Sequence, residues 1–133
     1  MVHAEDGDFQ AAPGDPLTQR TLPLFFEVVR VMLAGGVTVV AEASFQHEVW
    51  KAWLEPLAEL AQLRIVQCHV DAAVARERDR AAGRRRAHVV VREWEEAFAS
   101  FERVSIRAPS IDVDTTDGYA PGLVEIVEFV NRQ

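Results

Sequence analysis

The stretch LRIVQCHV (Leu63–Val70), followed directly by DAAVARERDRAAG (71–83), decides the fold class of this 133-residue chain. The segment Leu63–Val70 is an apolar run with β-branched residues, of the kind that forms a buried strand. Asp71 is a favourable N-cap for the helix predicted after it, which stops at Gly83. A strand that leads straight into a helix is the repeating unit of α/β proteins.

Two further runs predict strands on either side of this unit. VTVVA (Val37–Ala41) follows the pair Gly35-Gly36 and reads as a strand buried on both faces. Ser110–Val113 is the third strand, followed by the turn DTTDGYAPG. Strands that alternate with helices predict an α/β sandwich with a parallel sheet.

Four further helices are predicted between and around these strands. The first begins at Pro16 with Asp15 as N-cap, and Pro23 kinks it or marks its true start one turn later. The second covers residues 47–62 with a kink at Pro56, while the others cover 88–102 and about 121–130. Their apolar positions are Leu24, Phe25, Val28, Val29, Met32 and Leu33 in the first, Val49, Trp53, Leu57 and Leu60 in the second, and Trp94, Phe98 and Phe101 in the third. Trp50 and Trp53 are expected to pack between helices rather than to bind a ligand.

Composition narrows the functional classes. Hydrophobic residues make up 49% and charged residues 26%, which is ordinary for a globular protein. No apolar stretch is long enough for a membrane span, and the acidic start MVHAEDGDF does not resemble a secretion signal. Cys68 is the single cysteine, so no intrachain disulfide can form. We therefore expect a cytoplasmic protein that does not bind membranes.

The charge is acidic overall but unevenly distributed. A net charge of −7 argues against nucleic acid as a partner. The segment RERDRAAGRRR is locally basic, yet it contains no interleaved aromatic residue and no known nucleic-acid motif. Thirteen of the 14 basic residues are arginines, and Lys51 is the only lysine.

Three carboxylates fall at or just beyond the ends of the predicted strands: Glu42, Asp71 and Asp114. In a parallel sheet, ligands bind beyond the carboxyl ends of the strands, so these residues mark a candidate site. Each has a simpler explanation as well. Glu42 would also suit the hydrated tip of a strand, and Asp71 would suit a helix cap.

Three stretches together resemble a known family: GGVTVVAEASF, LRIVQCHVDAAVARERDRAAGRRRAH and PSIDVDTTDGYAPGLVEIVEFV. From about Asp15 to the end, the chain resembles the later two thirds of small P-loop kinases, the "predicted kinase" or AAA-family ATP-binding proteins related to nucleotide, shikimate and antibiotic kinases. The resemblance implies a three-layer α/β sandwich with strand order 2-3-1-4-5. It also implies one incomplete domain over 16–133 with a lid near 76–92, preceded by a flexible arm at 1–15.

The resemblance also implies a set of site residues. Glu42 would bind the Mg²⁺ shell or activate the acceptor hydroxyl. The loop facing the acceptor, a small molecule or nucleotide, would contain Ser44, Phe45 and His47. The lid arginines would be Arg76, Arg80 and Arg84, which share a helix face if the helix continues through Gly83. The nucleotide-binding residues would be Asp114, Thr115 and Thr116, although their composition also suits an ordinary turn. The arginine run would equally suit a solvated face paired with Glu77 and Asp79.

One family element is missing from the sequence. A P-loop kinase binds Mg-ATP through GxxxxGK[ST], and no such loop is present. Lys51 lies on a predicted helix without neighbouring glycines. We therefore expect no tight Mg-ATP binding by this chain. The sheet would lack its first, central strand, so the remaining strands pair directly, a homodimer fills the gap, or the gene model is truncated; we favour the third.

Two hypotheses from different classes follow. The first is an ATP-dependent phosphotransferase of the P-loop class, inactive or truncated as given. The second is a non-catalytic binding or dimerisation module derived from that fold. A metal site is not indicated, because His3, His47, His69 and His88 lack ligand spacing, and His69 reads as a packed core histidine. Hydrolase chemistry lacks its G-x-S-x-G turn.

Overall fold

The computed structural model describes residues 16–43, 47–81 and 101–132. These residues belong to two compact units. The first contains α1 (Pro16–Ala34), α2 (His47–Leu54) and α3 (Leu57–Leu60). The second contains β1 (Ile65–His69), α4 (Ala72–Ala81), β2 (Ser110–Asp114) and α5 (Leu123–Asn131). Several predictions lie outside the described residues, namely the arm 1–15 with its cap Asp15, the loop residues Ser44 and Phe45, Gly83, Arg84, and most of the helix at 88–102.

Helix α1 runs unbroken through Pro23 and ends where the sequence predicts. The Gly36 N–H donates to the Leu33 carbonyl at 2.9 Å, and the Val37 N–H donates to the Met32 carbonyl at 3.0 Å. This pair of bonds is a Schellman motif, with Gly36 at φ +76°. The two glycines therefore terminate the helix as expected.

The apolar stripe predicted for α1 is only partly correct. Leu22, Phe26 and Val29 are buried, whereas Leu24 and Val28 are exposed. Phe26 stacks on Trp53 and also contacts Trp50, with ring centroids 5.5 Å apart in both cases. Helix α1 has more apolar residues than one face can hold, and contact with the two tryptophans decides which face is buried. The prediction that the tryptophans pack between helices is confirmed.

The helix predicted at 47–62 is interrupted at Pro56 rather than kinked. Helix α2 ends at Leu54 and α3 begins at Leu57. Proline has no N–H to donate and its ring clashes with the preceding turn, so an uninterrupted helix is disfavoured here. The break buries Leu54 and Leu57 and leaves Leu60 exposed. Leu60 was therefore wrongly predicted to point inward.

The strand predicted at Val37–Glu42 is not formed. The described residues 37–43 adopt no strand, and Val40 is 96% exposed. A strand exists only where its backbone groups meet a neighbour, and β-branched composition does not supply one. Glu42 therefore does not end a strand, and the predicted three-strand sheet is corrected to two strands among the described residues.

The parallel sheet itself is confirmed. β1 and β2 pair in parallel with Ile65 opposite Ser110 and His69 opposite Asp114. Val113 at the end of β2 is 1% exposed. The strands are joined by α4 and the segment after it, a connection that a parallel pair requires.

The helices of the second unit begin with local caps. The Asp71 carboxylate Oδ1 accepts from the Ala73 N–H at 2.8 Å and from the Val74 N–H at 3.3 Å, which confirms Asp71 as the N-cap of α4. At the start of α5, the Gly122 N–H donates to Glu125 Oε2 at 2.7 Å. In both helices, a side-chain oxygen satisfies an amide that the helix leaves unpaired.

Helix α5 packs through Phe129, which is buried and lies under the Arg64 guanidinium at 5.6 Å. Phe101 lies outside any helix and is exposed, so the end of the helix predicted at 88–102 is wrong at this residue. Within the described parts of the chain, no helix combines the length and apolar character that crossing a bilayer requires.

Candidate functional site at the carboxyl edge of the sheet

The carboxyl ends of β1 and β2 form one edge of the sheet because the strands are parallel. His69 and Asp114 are the last residues of the two strands and lie opposite each other. Their side chains are 53% and 47% exposed, and His69 Nδ1 lies 4.0 Å from Asp114 Oδ1. His69 is therefore not the packed core histidine that the sequence suggested, but an accessible imidazole beside a carboxylate.

The turn after β2 folds back onto the strand that precedes it. The Asp114 N–H donates to the Ala120 carbonyl at 2.8 Å, and the Ala120 N–H donates to the Asp114 carbonyl at 2.9 Å. Gly118 adopts φ +78°, a conformation that side-chain-bearing residues rarely adopt. The turn is thus a closed loop rather than an open tail.

Thr115 and Thr116 connect this turn to the end of β1 and the start of α4. The backbone N–H and the hydroxyl of Thr115 both donate to the His69 carbonyl, at 2.8 Å and 2.9 Å. The Asp71 N–H donates to Thr116 Oγ1 at 3.0 Å. The Thr116 N–H donates to Asp114 Oδ1 at 2.8 Å. Both threonines are therefore hydrogen-bonded within the site.

These contacts keep Asp114 ionised. The Thr116 side chain and backbone N–H both hydrogen-bond the carboxylate and lower the pKa of Asp114, with a smaller contribution from the neighbouring His69. Hydrogen bonds to the charged form of an acid favour that form. The edge of the sheet therefore carries a stable negative charge.

An arginine that the sequence analysis did not assign reaches the same turn. Arg78 donates from a guanidinium nitrogen to the Thr116 carbonyl at 2.9 Å. It lies seven residues after the cap Asp71, which places both on one side of α4. This seven-residue spacing from Asp71 is the sequence signal that could have identified Arg78.

The three arginines predicted for the lid differ in how much of each the structure describes. Arg76 is half-buried on α4 and takes part in interactions of its own. Arg80 also lies on α4, and its side chain is not among the described parts of the structure. Arg84 lies outside the described residues. The shared face of Arg76, Arg80 and Arg84 therefore stays a prediction.

The predicted acceptor residues belong to the first unit. Glu42 is exposed in the segment that follows α1. His47 begins α2, where its N–H donates to the Glu102 carbonyl at 3.2 Å and its Nδ1 accepts from the Ser105 N–H at 3.1 Å. This ring nitrogen is therefore occupied by a structural contact, and Nε2 lies 4.0 Å from Glu48 Oε1. Ser44 and Phe45 fall in the undescribed gap.

The edge of the sheet offers the carboxylate of Asp114 at the end of β2, the imidazole of His69 at the end of β1 and the guanidinium of Arg78 on α4. Such a site can recognise a polar ligand by hydrogen bonds. In the described part of the chain, no group of three or more His, Cys, Asp or Glu residues could hold a metal ion.

Comparison with known proteins identifies the family of this chain. The model of the family described as "Chloramphenicol phosphotransferase-like protein" matches residues 1–118. No curated protein and no solved structure matches the chain.

Proposed function

Because this chain belongs to the chloramphenicol phosphotransferase-like family, we propose that it carries the acceptor, lid and nucleotide-recognition regions of an ATP-dependent phosphotransferase of the P-loop kinase class. One observation carries the proposal beyond family membership. The turn Asp114–Thr116 is tied to the carboxyl ends of both parallel strands. Ligands of parallel α/β proteins bind at this edge of the sheet.

The proposed roles follow the geometry of each region. The turn at Asp114–Thr116 would border the nucleotide base, with Arg78 holding the turn in place. The two threonine hydroxyls and the backbone N–H groups of all three residues bind protein groups, so the base would meet the shape of the turn and its remaining backbone groups. We also propose that the two described strands belong to a three-layer α/β sandwich of the P-loop type.

The phosphoryl-transfer groups are proposed on the rest of the chain. Glu42 would accept the proton of the acceptor hydroxyl or hold the water shell of Mg²⁺, and its exposure leaves it free to do so. The acceptor, a small molecule or a nucleotide, would contact Ser44, Phe45 and His47. The arginines would neutralise the charge on the transferring phosphoryl group: Arg76, Arg80 and Arg84.

The sequence given contains no GxxxxGK[ST] loop, and Lys51 lies inside α2. Backbone amides and a lysine of that loop hold the β- and γ-phosphates in this class. We therefore propose that the 133-residue chain alone binds Mg-ATP weakly and does not turn it over. The same feature supports a second candidate, a non-catalytic binding or dimerisation module on this fold.

Titration calorimetry with Mg-ATP tests the phosphate-site part of the proposal. The expected dissociation constant is weaker than about 1 mM, because the phosphates contribute most of the binding in this class. Micromolar affinity would contradict the conclusion that the chain lacks a phosphate site.

Amide chemical shifts test the nucleotide-recognition part. With excess Mg-ATP, the amide resonances of Thr115, Thr116 and Asp117 should shift. The amide resonances of Gly35 and Gly36, which end a helix of the first unit, should not shift and serve as the reference. Arg78→Gln should reduce the shifts by loosening the turn, while Arg107→Gln removes the same charge elsewhere and is the matched control. Unchanged turn amides at saturating nucleotide would favour the non-catalytic module.

A further inference from the structure

Thr116 joins the end of β2 to helix α4 with every polar group that it has. Its N–H donates to Asp114 Oδ1 at 2.8 Å, and its hydroxyl also hydrogen-bonds the Asp114 carboxylate. Its Oγ1 accepts from the Asp71 N–H at 3.0 Å, and its carbonyl accepts from the Arg78 guanidinium at 2.9 Å. A hydroxyl can donate one hydrogen bond while it accepts another, so a single side chain bridges the two elements.

The two contacts with α4 lie seven residues apart, which is about two helical turns. Asp71 caps the helix, and its carbonyl accepts from the Ala75 N–H at 2.8 Å as the first turn closes. Arg78 lies further along the same hydrogen-bonded helix. Because both contacts return to Thr116, α4 cannot change its direction relative to the turn without breaking one of them.

The part of α4 between and just beyond these contacts carries two arginines with proposed roles. Arg76 lies between the two contact points, and Arg80 follows Arg78 by two residues. The proposed function places these arginines at the transferring phosphoryl group and the turn beside the nucleotide base. One residue, Thr116, therefore connects the two regions.

We propose that Thr116 is a positioning residue that couples the turn Asp114–Thr116 to α4, so that a nucleotide held at the turn also sets the position of Arg76 and Arg80. A ligand that favours one position of the turn favours one position of the helix through the same contacts. The part of the proposal that concerns the nucleotide rests on the proposed function, whereas the link between turn and helix does not.

A purely local role for Thr116 leads to a different expectation. As part of a helix cap it would satisfy the Asp71 N–H and transmit nothing further along α4. Loosening the turn would then affect the Asp71 amide alone. Coupling predicts that the amide of Arg76, inside the helix, responds as well.

Hydrogen exchange on the full chain without ligand tests the link itself. Thr116→Val keeps the β-branched shape but removes the hydroxyl, so exchange at the Asp71 and Arg76 amides should become about fivefold faster, as expected for the loss of one hydrogen bond. Thr116→Ser keeps the hydroxyl and should restore slow exchange. The Ile65 amide, which is bonded within the sheet, reports global unfolding and is the reference.

Thr115→Val is the matched control for these measurements. It removes the neighbouring hydroxyl, which donates to the His69 carbonyl and makes no recorded contact with α4. Relative to the reference amide, exchange inside α4 should therefore stay as it is in the unmodified chain.

Amide chemical shifts with excess Mg-ATP test the transmission. In the unmodified chain, the resonances of Asp71 and Arg76 should shift together with those of Thr115 and Asp117. In Thr116→Val, the turn resonances should still shift, while the shift at Arg76 should fall by about half because the contact through the Thr116 carbonyl remains. Thr116→Ser should behave like the unmodified chain.

The outcomes separate this inference from the proposed function. Unchanged exchange at Asp71 and Arg76 in Thr116→Val, with circular dichroism showing the variant folded, would overturn the link. Turn resonances that shift while Arg76 does not, a comparison that needs no variant, would overturn the coupling and leave the nucleotide site standing. No shift at the turn with saturating Mg-ATP would overturn the nucleotide site and its coupling together, and the exchange measurement would then decide the link alone.

Discussion

Asp114 shows how one residue joins the strand, the turn and the neighbouring strand. Its backbone pairs with Ala120, its carboxylate accepts from Thr116, and its side chain faces His69. The sequence indicates only a carboxylate after a strand. The structure shows that this carboxylate organises the loop on which the proposed nucleotide site depends.

The lowered pKa of Asp114 predicts a specific pH dependence of stability. Because its pKa in the folded protein lies below the ordinary aspartate value, the carboxylate contributes stability above that ordinary value and loses it as the pH falls through the folded-state pKa. Asp114→Asn should therefore lower the thermal midpoint slightly at pH 7, with the difference from the unmodified chain shrinking towards pH 3.

Thermal unfolding followed by circular dichroism between pH 3 and pH 7 measures this difference. Asp117→Asn removes the same charge from the same turn and controls for an effect of net charge alone. A destabilisation by Asp114→Asn that is equal at every pH would show that the contribution is not ionic.

At the scale of elements, the end of α1 depends on backbone conformation more than on contacts. Gly36 has φ +76°, and a Cβ added there would meet no atom within 4 Å. Gly35 precedes it inside the same motif, and a Cβ added there would meet the Met32 carbonyl oxygen at 3.4 Å, an ordinary contact. The two glycines therefore have different physical requirements.

Gly36→Ala should reduce the free energy of unfolding by about 1 kcal/mol, because an L-residue is strained in the left-handed region. Gly35→Ala is the matched control and should be neutral or slightly stabilising, since alanine loses less backbone entropy on folding. Urea denaturation of both variants measures the difference. Equal effects of the two substitutions would contradict the role assigned to the motif.

Elements also differ in how far their sequence determines them. β1 and β2 pair as predicted, and Asp71 caps α4, because these features need only local composition and one neighbouring strand. The segment Val37–Ala41 is richer in β-branched residues than either strand but forms no strand in the structure. The difference lies in the presence of a backbone partner, which residues at a distance along the chain must supply.

At the scale of the whole molecule, the candidate site was predictable in part. Asp114 follows from the rule that ligands bind at the carboxyl ends of parallel strands, Thr115 and Thr116 were assigned through the family resemblance, and Asp71 follows from helix capping. Arg78 was missed because the arginine run contains many equivalent residues, and only the orientation of α4 brings this one to the turn. His69 was misjudged because strand alternation does not tell which face is covered.

The sequence by itself determined the α/β class, the parallel pair, the glycine end of α1 and the cap of α4. The helix end and the cap depend on interactions between residues close in the chain, whereas the fold class and the parallel pair follow from the alternation of strand and helix patterns. Only the tertiary structure decided which face of α1 is buried, whether Val37–Ala41 becomes a strand and which arginine holds the turn. Those outcomes depend on which distant surface each residue meets, because burial and hydrogen bonding are properties of pairs rather than of single residues.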